Sequence, residues 1–191
     1  KKLGIEPKKI YTNKKSIQKF LFGAVSPHAK LFKTKITKNI DFPFKVSYTD
    51  FVLYTIALSK CRRIAYLNEP LAYYLIERPG NTKTDIRPSI VEDYLKGWDA
   101  VYTQLVHENK DSTMFMYCLY RQLLYMLSEY ARVNKDANYN KELKIRFVRL
   151  LPYKSNLKKL INSPKQKILY EGLMNKHTNN LFINLYCKTR K

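Results

Sequence analysis

Glycine is scarce in this chain, with five residues in 191. A fold of tight hairpins needs many positions that accept positive φ, so such an architecture is not expected. Cysteine is rarer still. Cys61, Cys118 and Cys187 lie far apart, with no CxxC pair and no run of metal ligands. That pattern excludes a zinc ribbon and fits buried thiols in a reducing cytoplasm. No long apolar run is present. The most apolar helical stretch, about residues 113–131, is interrupted by Arg121, Gln122, Ser128 and Glu129. A bilayer span needs roughly 20 largely apolar residues, so none is expected here. No basic n-region leads into an apolar core, so a signal peptide is not expected either. Internal repeats and low-complexity tracts are also missing.

Acidic residues are missing from the two ends. Residues 1–40 carry eleven Lys or Arg and a single acid, Glu6, and residues 143–191 carry twelve and a single acid, Glu171. The middle is balanced, so most of the net charge of +21 sits at the ends. Basic surfaces attract nucleic acid, anionic lipid or phosphorylated substrates. A codon bias towards Lys, Asn, Ile and Tyr would leave the same charge as a merely solvated surface. Hydrophobic residues at 45% and charged residues at 27% are globular values. The length suits one well-packed domain, or a domain with an appendage.

Along the chain, residues 1–15 read as a Lys-rich loop, 16–22 as a turn or two of helix and 34–39 as one further turn. From Thr49 an amphipathic helix is predicted, with Thr49 as N-cap and Asp50 in the first turn, where the helix dipole favours a carboxylate. Arg62 to Leu67 alternates at period two. Leu71 to Ile76 is dense in aromatic and β-branched residues, and Pro79-Gly80-Asn81 ends it. Long helices are predicted from Ser89 to about His107 and from about Ser112 to Ala131. A shorter one spans Lys141 to Leu151, and Pro164 opens a last helix through about Tyr186. The fold class is therefore mixed α/β and predominantly helical, with short strands at about 29–33, 62–67 and 71–77.

Several of these pieces occur in a telling order. Lys30-Leu31-Phe32 is followed by Phe42-Pro43, then Thr49-Asp50 at a helix start, then Ile64 to Tyr74 with its Asn68-Glu69-Pro70-Leu71-Ala72-Tyr73-Tyr74, then Arg78-Pro79-Gly80-Asn81. This order resembles the inverting family-two glycosyltransferases, GT-A-fold enzymes that build bacterial capsule, teichoic acid and other surface glycans. The likeness covers about 60 residues and is weaker in the helical tail. Thr49 stands where that family usually has glutamate, and Asn81 where it has serine. The family also carries an N-terminal αβα unit with a D-x-D motif, and no D-x-D occurs in these residues.

The resemblance implies that residues 1–85 are the C-terminal, acceptor-side part of a GT-A-like catalytic domain and that 86–191 form a helical C-terminal region. It implies Asp50 as the base that takes the acceptor hydroxyl proton. Arg78, Gly80 and Asn81 would lie on a turn over the diphosphate leaving group, where the planar fork of Arg donates to two oxygens and Gly80 allows close backbone approach. His28 and Lys30 would line the acceptor groove. Tyr73, Tyr74 and Trp98 are apolar-face residues able to stack on sugars, and core is the simpler reading. Partners would be a nucleotide-sugar donor and a glycan or lipid-linked acceptor. A divalent metal (Mg or Mn) would be held mainly by the αβα unit, so these residues alone would be inactive. The location would be cytoplasmic, with peripheral contact to the inner face of the membrane through the basic C-terminal region, and a homo-oligomer, as further expectations. The competing reading is a basic helical module for nucleic acid, a membrane surface or oligomerisation, without catalysis. Its best element is Lys141 to Leu151, with Lys144, Arg146 and Arg149 opposite Leu143, Phe147 and Leu150. That segment is short for membrane residence, so docking on the core is the expected use of its apolar face.

Overall fold

Helix dominates. The structure, a computed structural model, describes residues 4–26, 28–70, 73, 75, 89–133 and 139–189. Among these are nine helices and one pair of two-residue antiparallel strands. The strands are β1 (Ile10–Tyr11) and β2 (Ile64–Ala65), with Ile10 opposite Ala65 and Tyr11 opposite Ile64. The predominantly helical expectation holds, but the strand content is smaller than the sequence suggests. Residues 29–33 form no strand, and Ala29 at their start takes φ 55°. The stretch 62–67 shrinks to β2. Of 71–77 only Tyr73 and Leu75 are described, and neither is in a strand.

The helices are α1 (Lys14–Gln18), α2 (Thr34–Thr37), α3 (Asp50–Lys60), α4 (Ile90–His107), α5 (Thr113–Val133), α6 (Asn140–Arg149), α7 (Lys154–Lys158), α8 (Pro164–Leu173) and α9 (Asn179–Thr189). They fall into two compact units. The first is Lys1–Asp85 with Lys96–Asp111, and the second is Ile86–Leu95 with Ser112–Lys191.

In the first unit, α3 packs against α2 and against the 3-10 turn Lys19–Phe22 that follows α1. Phe51, Val52, Tyr54, Ile56, Ala57 and Leu58 of α3 are buried. Trp98 of α4 is fully buried and stacks on Tyr102 at 5.2 Å. It is core, as its helical spacing suggests. Gly97 sits against Val52. A single side chain fixes the loop before α3: Gln104 Oε1 accepts from Asp41 N at 3.0 Å while its Nε2 donates to Asp41 O at 2.8 Å. Lys60 closes the far end of α3, pairing with Glu108 at 2.9 Å and donating to Asn39 O.

In the second unit the period-3.6 pattern of α5 is used as the sequence suggests, with Met116, Leu119, Leu123 and Leu127 fully buried. Tyr120 anchors an aromatic cluster, edge-on to Tyr170 at 5.1 Å and to Phe147 at 6.3 Å. The Tyr170 hydroxyl donates to Lys154 O at 2.6 Å, which satisfies the polar end of a buried ring. Burial pushes the Cys118 thiol up to about 12, so this cysteine is a packing residue rather than a nucleophile. Leu143, Phe147 and Leu150 are also fully buried, so the apolar face of α6 docks on the core. Arg146 is not on its cationic face. It is buried, donating to the Glu142 carbonyl at 2.7 Å and carboxylate at 3.1 Å.

The last predicted helix is two. Residues after Leu173 have the turn chemistry to stop α8 and start α9. Thr178 Oγ1 donates to Gly172 O at 3.0 Å, Asn179 Nδ2 donates to Leu173 O, and Asn175 Oδ1 accepts from His177 N at 2.9 Å. Side chains thus satisfy carbonyls that a continuing helix would have used.

Candidate functional site

The first turn of α3 sets the centre of the site. Asp50 is the first helical residue. Thr49 occupies the cap position, but its backbone is already helical (φ −72°, ψ −2°) and its side chain makes no capping bond. The carboxylate of Asp50 instead accepts from its own backbone N–H, one of the orphan donors of the first turn.

Asp50 is half-buried, and burial raises its pKa above the ordinary value. The charges of His28 and Lys30 pull it back down, but burial is the larger effect. A carboxylate at a helix N-terminus is expected from sequence to be a low-pKa, weak base. In the folded chain burial is the largest influence on Asp50, and it favours the protonated carboxyl over the charged form.

Lys30 is held from three sides. Its ammonium donates to Ser26 O, lies 5.1 Å from the ring centroid of Tyr54, and carries an electrostatic attraction to Asp50. Burial pushes its pKa down, and Asp50 opposes that shift. Tyr54 follows Asp50 by one helical turn, so the two share a face of α3. The Tyr54 hydroxyl donates to Phe20 O at 2.8 Å. Gly23 keeps that path open, since a Cβ there would sit 3.2 Å from both the hydroxyl and the Phe20 carbonyl. A chain of contacts thus runs from the 3-10 turn through Tyr54 to Lys30 and on to Asp50. His28 is exposed and is close enough for its charge to be felt at the carboxyl.

The backbone around these residues is strained. Ala29, between His28 and Lys30 in sequence, has φ 55°, and Tyr48, two residues before Asp50, has φ 61°. Each non-glycine residue in this region costs roughly 1–2 kcal/mol. Such outliers persist where surrounding structure over-determines them, and they gather at ligand clamps and active sites.

The structure brings together Asp50, His28 and Lys30. Arg78, Gly80, Asn81 and Tyr74 lie outside the described residues. Tyr73, expected to be core, is fully exposed at 106%. Tyr54 and Gly23 were not legible as site residues, since Tyr54 reads only as an apolar-face position. Its i, i+4 spacing from Asp50 was the available signal.

Among the described residues no group of three His, Cys, Asp or Glu is placed to hold a metal ion. Asp50 and His28 supply two donors at most, and the Lys30 ammonium beside them repels a cation. These residues do not fit a metal site. Also among the described residues, no helix is long and apolar enough to cross a membrane. Comparison of the chain with protein-family models, with curated proteins and with solved structures finds no match in any of the three.

Proposed function

We propose that this chain is the acceptor-side portion of an inverting glycosyltransferase that moves a sugar from a nucleotide-sugar to a surface-glycan or lipid-linked acceptor. The observation that carries the reading is the half-buried Asp50 carboxylate at a helix start, its pKa raised by burial, with Lys30 and His28 near enough to act on it. In a single displacement the acceptor oxygen attacks the anomeric carbon while its proton passes to Asp50. The new C–O bond forms as the bond to the nucleoside diphosphate breaks, and that electron pair leaves with the phosphate. A base of raised pKa takes the proton more readily than an ordinary aspartate. Lys30, fixed over Tyr54, holds the carboxylate ionised and oriented until the hydroxyl arrives. His28, exposed beside it, is placed to meet the acceptor.

The resemblance assigns the donor diphosphate and its divalent metal to a D-x-D-bearing unit, and no step here is routed through them. Arg78, Gly80 and Asn81 keep the role the resemblance implies, closing over the leaving group.

The test is sugar transfer by the complete transferase carrying Asp50→Asn, with donor affinity measured in parallel. Turnover is expected to fall roughly 10²–10⁴-fold, the usual worth of a positioned base, while donor affinity stays unchanged. Full turnover by the variant would remove Asp50 from the chemistry.

A further inference from the structure

We infer that the α8–α9 edge of the second unit is a docking surface for an anionic lipid bilayer. This inference is independent of the transferase reading. The apolar face of α6, the best membrane candidate in the sequence, is consumed by the core. Exposed aliphatic residues lie elsewhere. Ile168 on α8 is 66% exposed, and Leu181 and Leu185 on α9 are 56% and 46% exposed. Leu181 and Leu185 are spaced i, i+4 and so form one stripe. An open groove of about 500 Å³ has Ile168, Gly172 and Phe182 in its lining together with Lys158, Lys167 and Glu171. Gly172 lets the Phe182 ring pack directly on α8, where a methyl group would collide with it.

Lysines dominate the charge on this edge. Lys165, Lys167, Lys176 and Lys188 are exposed. The single acid of residues 143–191, Glu171, is clamped by Lys154 at 3.0 Å and Lys158 at 2.6 Å, and these lysines hold its carboxyl below the usual range. It therefore stays ionised and internally neutralised, and offers no repulsion to an anionic surface.

Aliphatic tips set among lysines match a bilayer interface. The aliphatic residues enter the acyl boundary while ammonium groups stay with the headgroups. A nucleic acid would use the lysines but gains nothing from exposed Ile168, Leu181 and Leu185, since its affinity comes from phosphate contacts and stacking. A second copy of the chain would set lysines against lysines, which like-charge repulsion disfavours.

The experiment is flotation of the full chain with vesicles of neutral phosphatidylcholine and with vesicles holding about 30 mol% phosphatidylglycerol, alongside a single-stranded oligonucleotide. The protein is expected to float with the anionic vesicles only. Two surface variants separate the contributions, with circular dichroism checking their fold. Ile168→Gln/Leu181→Gln/Leu185→Gln should lower the partition coefficient ~10-fold or more, because aliphatic burial supplies part of interfacial binding. Lys165→Glu/Lys167→Glu/Lys188→Glu should abolish flotation. Absence of flotation overturns the inference. So does flotation that the aliphatic triple leaves unchanged, or binding of the oligonucleotide in preference to vesicles. Asp50→Asn should float like the unaltered protein, so failure of either reading leaves the other standing.

Discussion

The first unit leaves Leu31 and Phe44 at solvent, with exposures of 102% and 85%, on the loops before α2 and α3 respectively. The second unit closes Tyr120, Phe147 and Tyr170 into an aromatic cluster and hides the apolar faces of α5 and α6. Left-handed, non-glycine backbone also divides between them. Lys8, Ala29, Lys45, Tyr48 and Asn109 all lie in the first unit, and of these Ala29 and Tyr48 are within two residues of a member of the site. The difference separates two uses of a chain. Both units have a packed core, and the first also spends local stability on left-handed backbone at non-glycine residues. Strain, exposed apolar loops and a perturbed carboxylate belong together when a segment is shaped for a ligand rather than for its own stability.

Three substitutions sharpen that contrast. The largest effect should come from Trp98→Ala, which removes a large, fully buried aromatic of the first unit. A loss of ~3–5 kcal/mol is expected in chemical denaturation. A loss under 1 kcal/mol would mean that the first unit has no tightly packed core. In the second unit Gly172→Ala forces a methyl into the Phe182 ring. Overpacking of this kind costs ~1–3 kcal/mol, and an unchanged Tm would show that α8 and α9 are free to part.

The smallest effect is the most diagnostic. The folded-state pKa of Asp50 lies above its ordinary value of 3.8. Between those two values the folded protein binds more protons than the unfolded chain, so stability falls as pH rises through the window. Above it the penalty persists. Asp50→Asn removes the penalty and should raise stability at neutral pH. The gain should be at most ~0.5 kcal/mol, because solvent screens a half-exposed group. At pH ~3, where both states are protonated, the gain should vanish. A clear loss of stability at neutral pH would make Asp50 an ordinary helix-start residue and erase the contrast between the units.

The sequence made the long helices legible because periodicity accumulates over many turns: α3, α4 and α5 fall where Asp50, Ile90 and Thr113 suggest. Short elements carry too few residues for that. The strand expected at 29–33 does not form and has no pairing strand among the described residues, and β1 lies inside a Lys-rich run with no alternation to mark it. The division between α8 and α9 was written in Asn175, Thr178 and Asn179, residues whose capping roles appear only once their carbonyl partners are in place. In the site, Asp50, Lys30 and His28 could be grouped by the order of motifs. Tyr54 and Gly23 could not, because one acts through its ring on a residue 24 positions earlier and the other through the side chain it lacks. Burial, which reverses the expected direction for Asp50, is a property of the folded chain alone.

The amide of Gln104 imitates a neighbouring peptide group, giving and taking one bond each with Asp41, a residue 63 positions away. That loop therefore borrows its register from a helix made much later in the chain. Its closure over so long a separation is entropically slow, so Phe42-Pro43-Phe44 should be among the last parts of the protein to settle during synthesis and refolding.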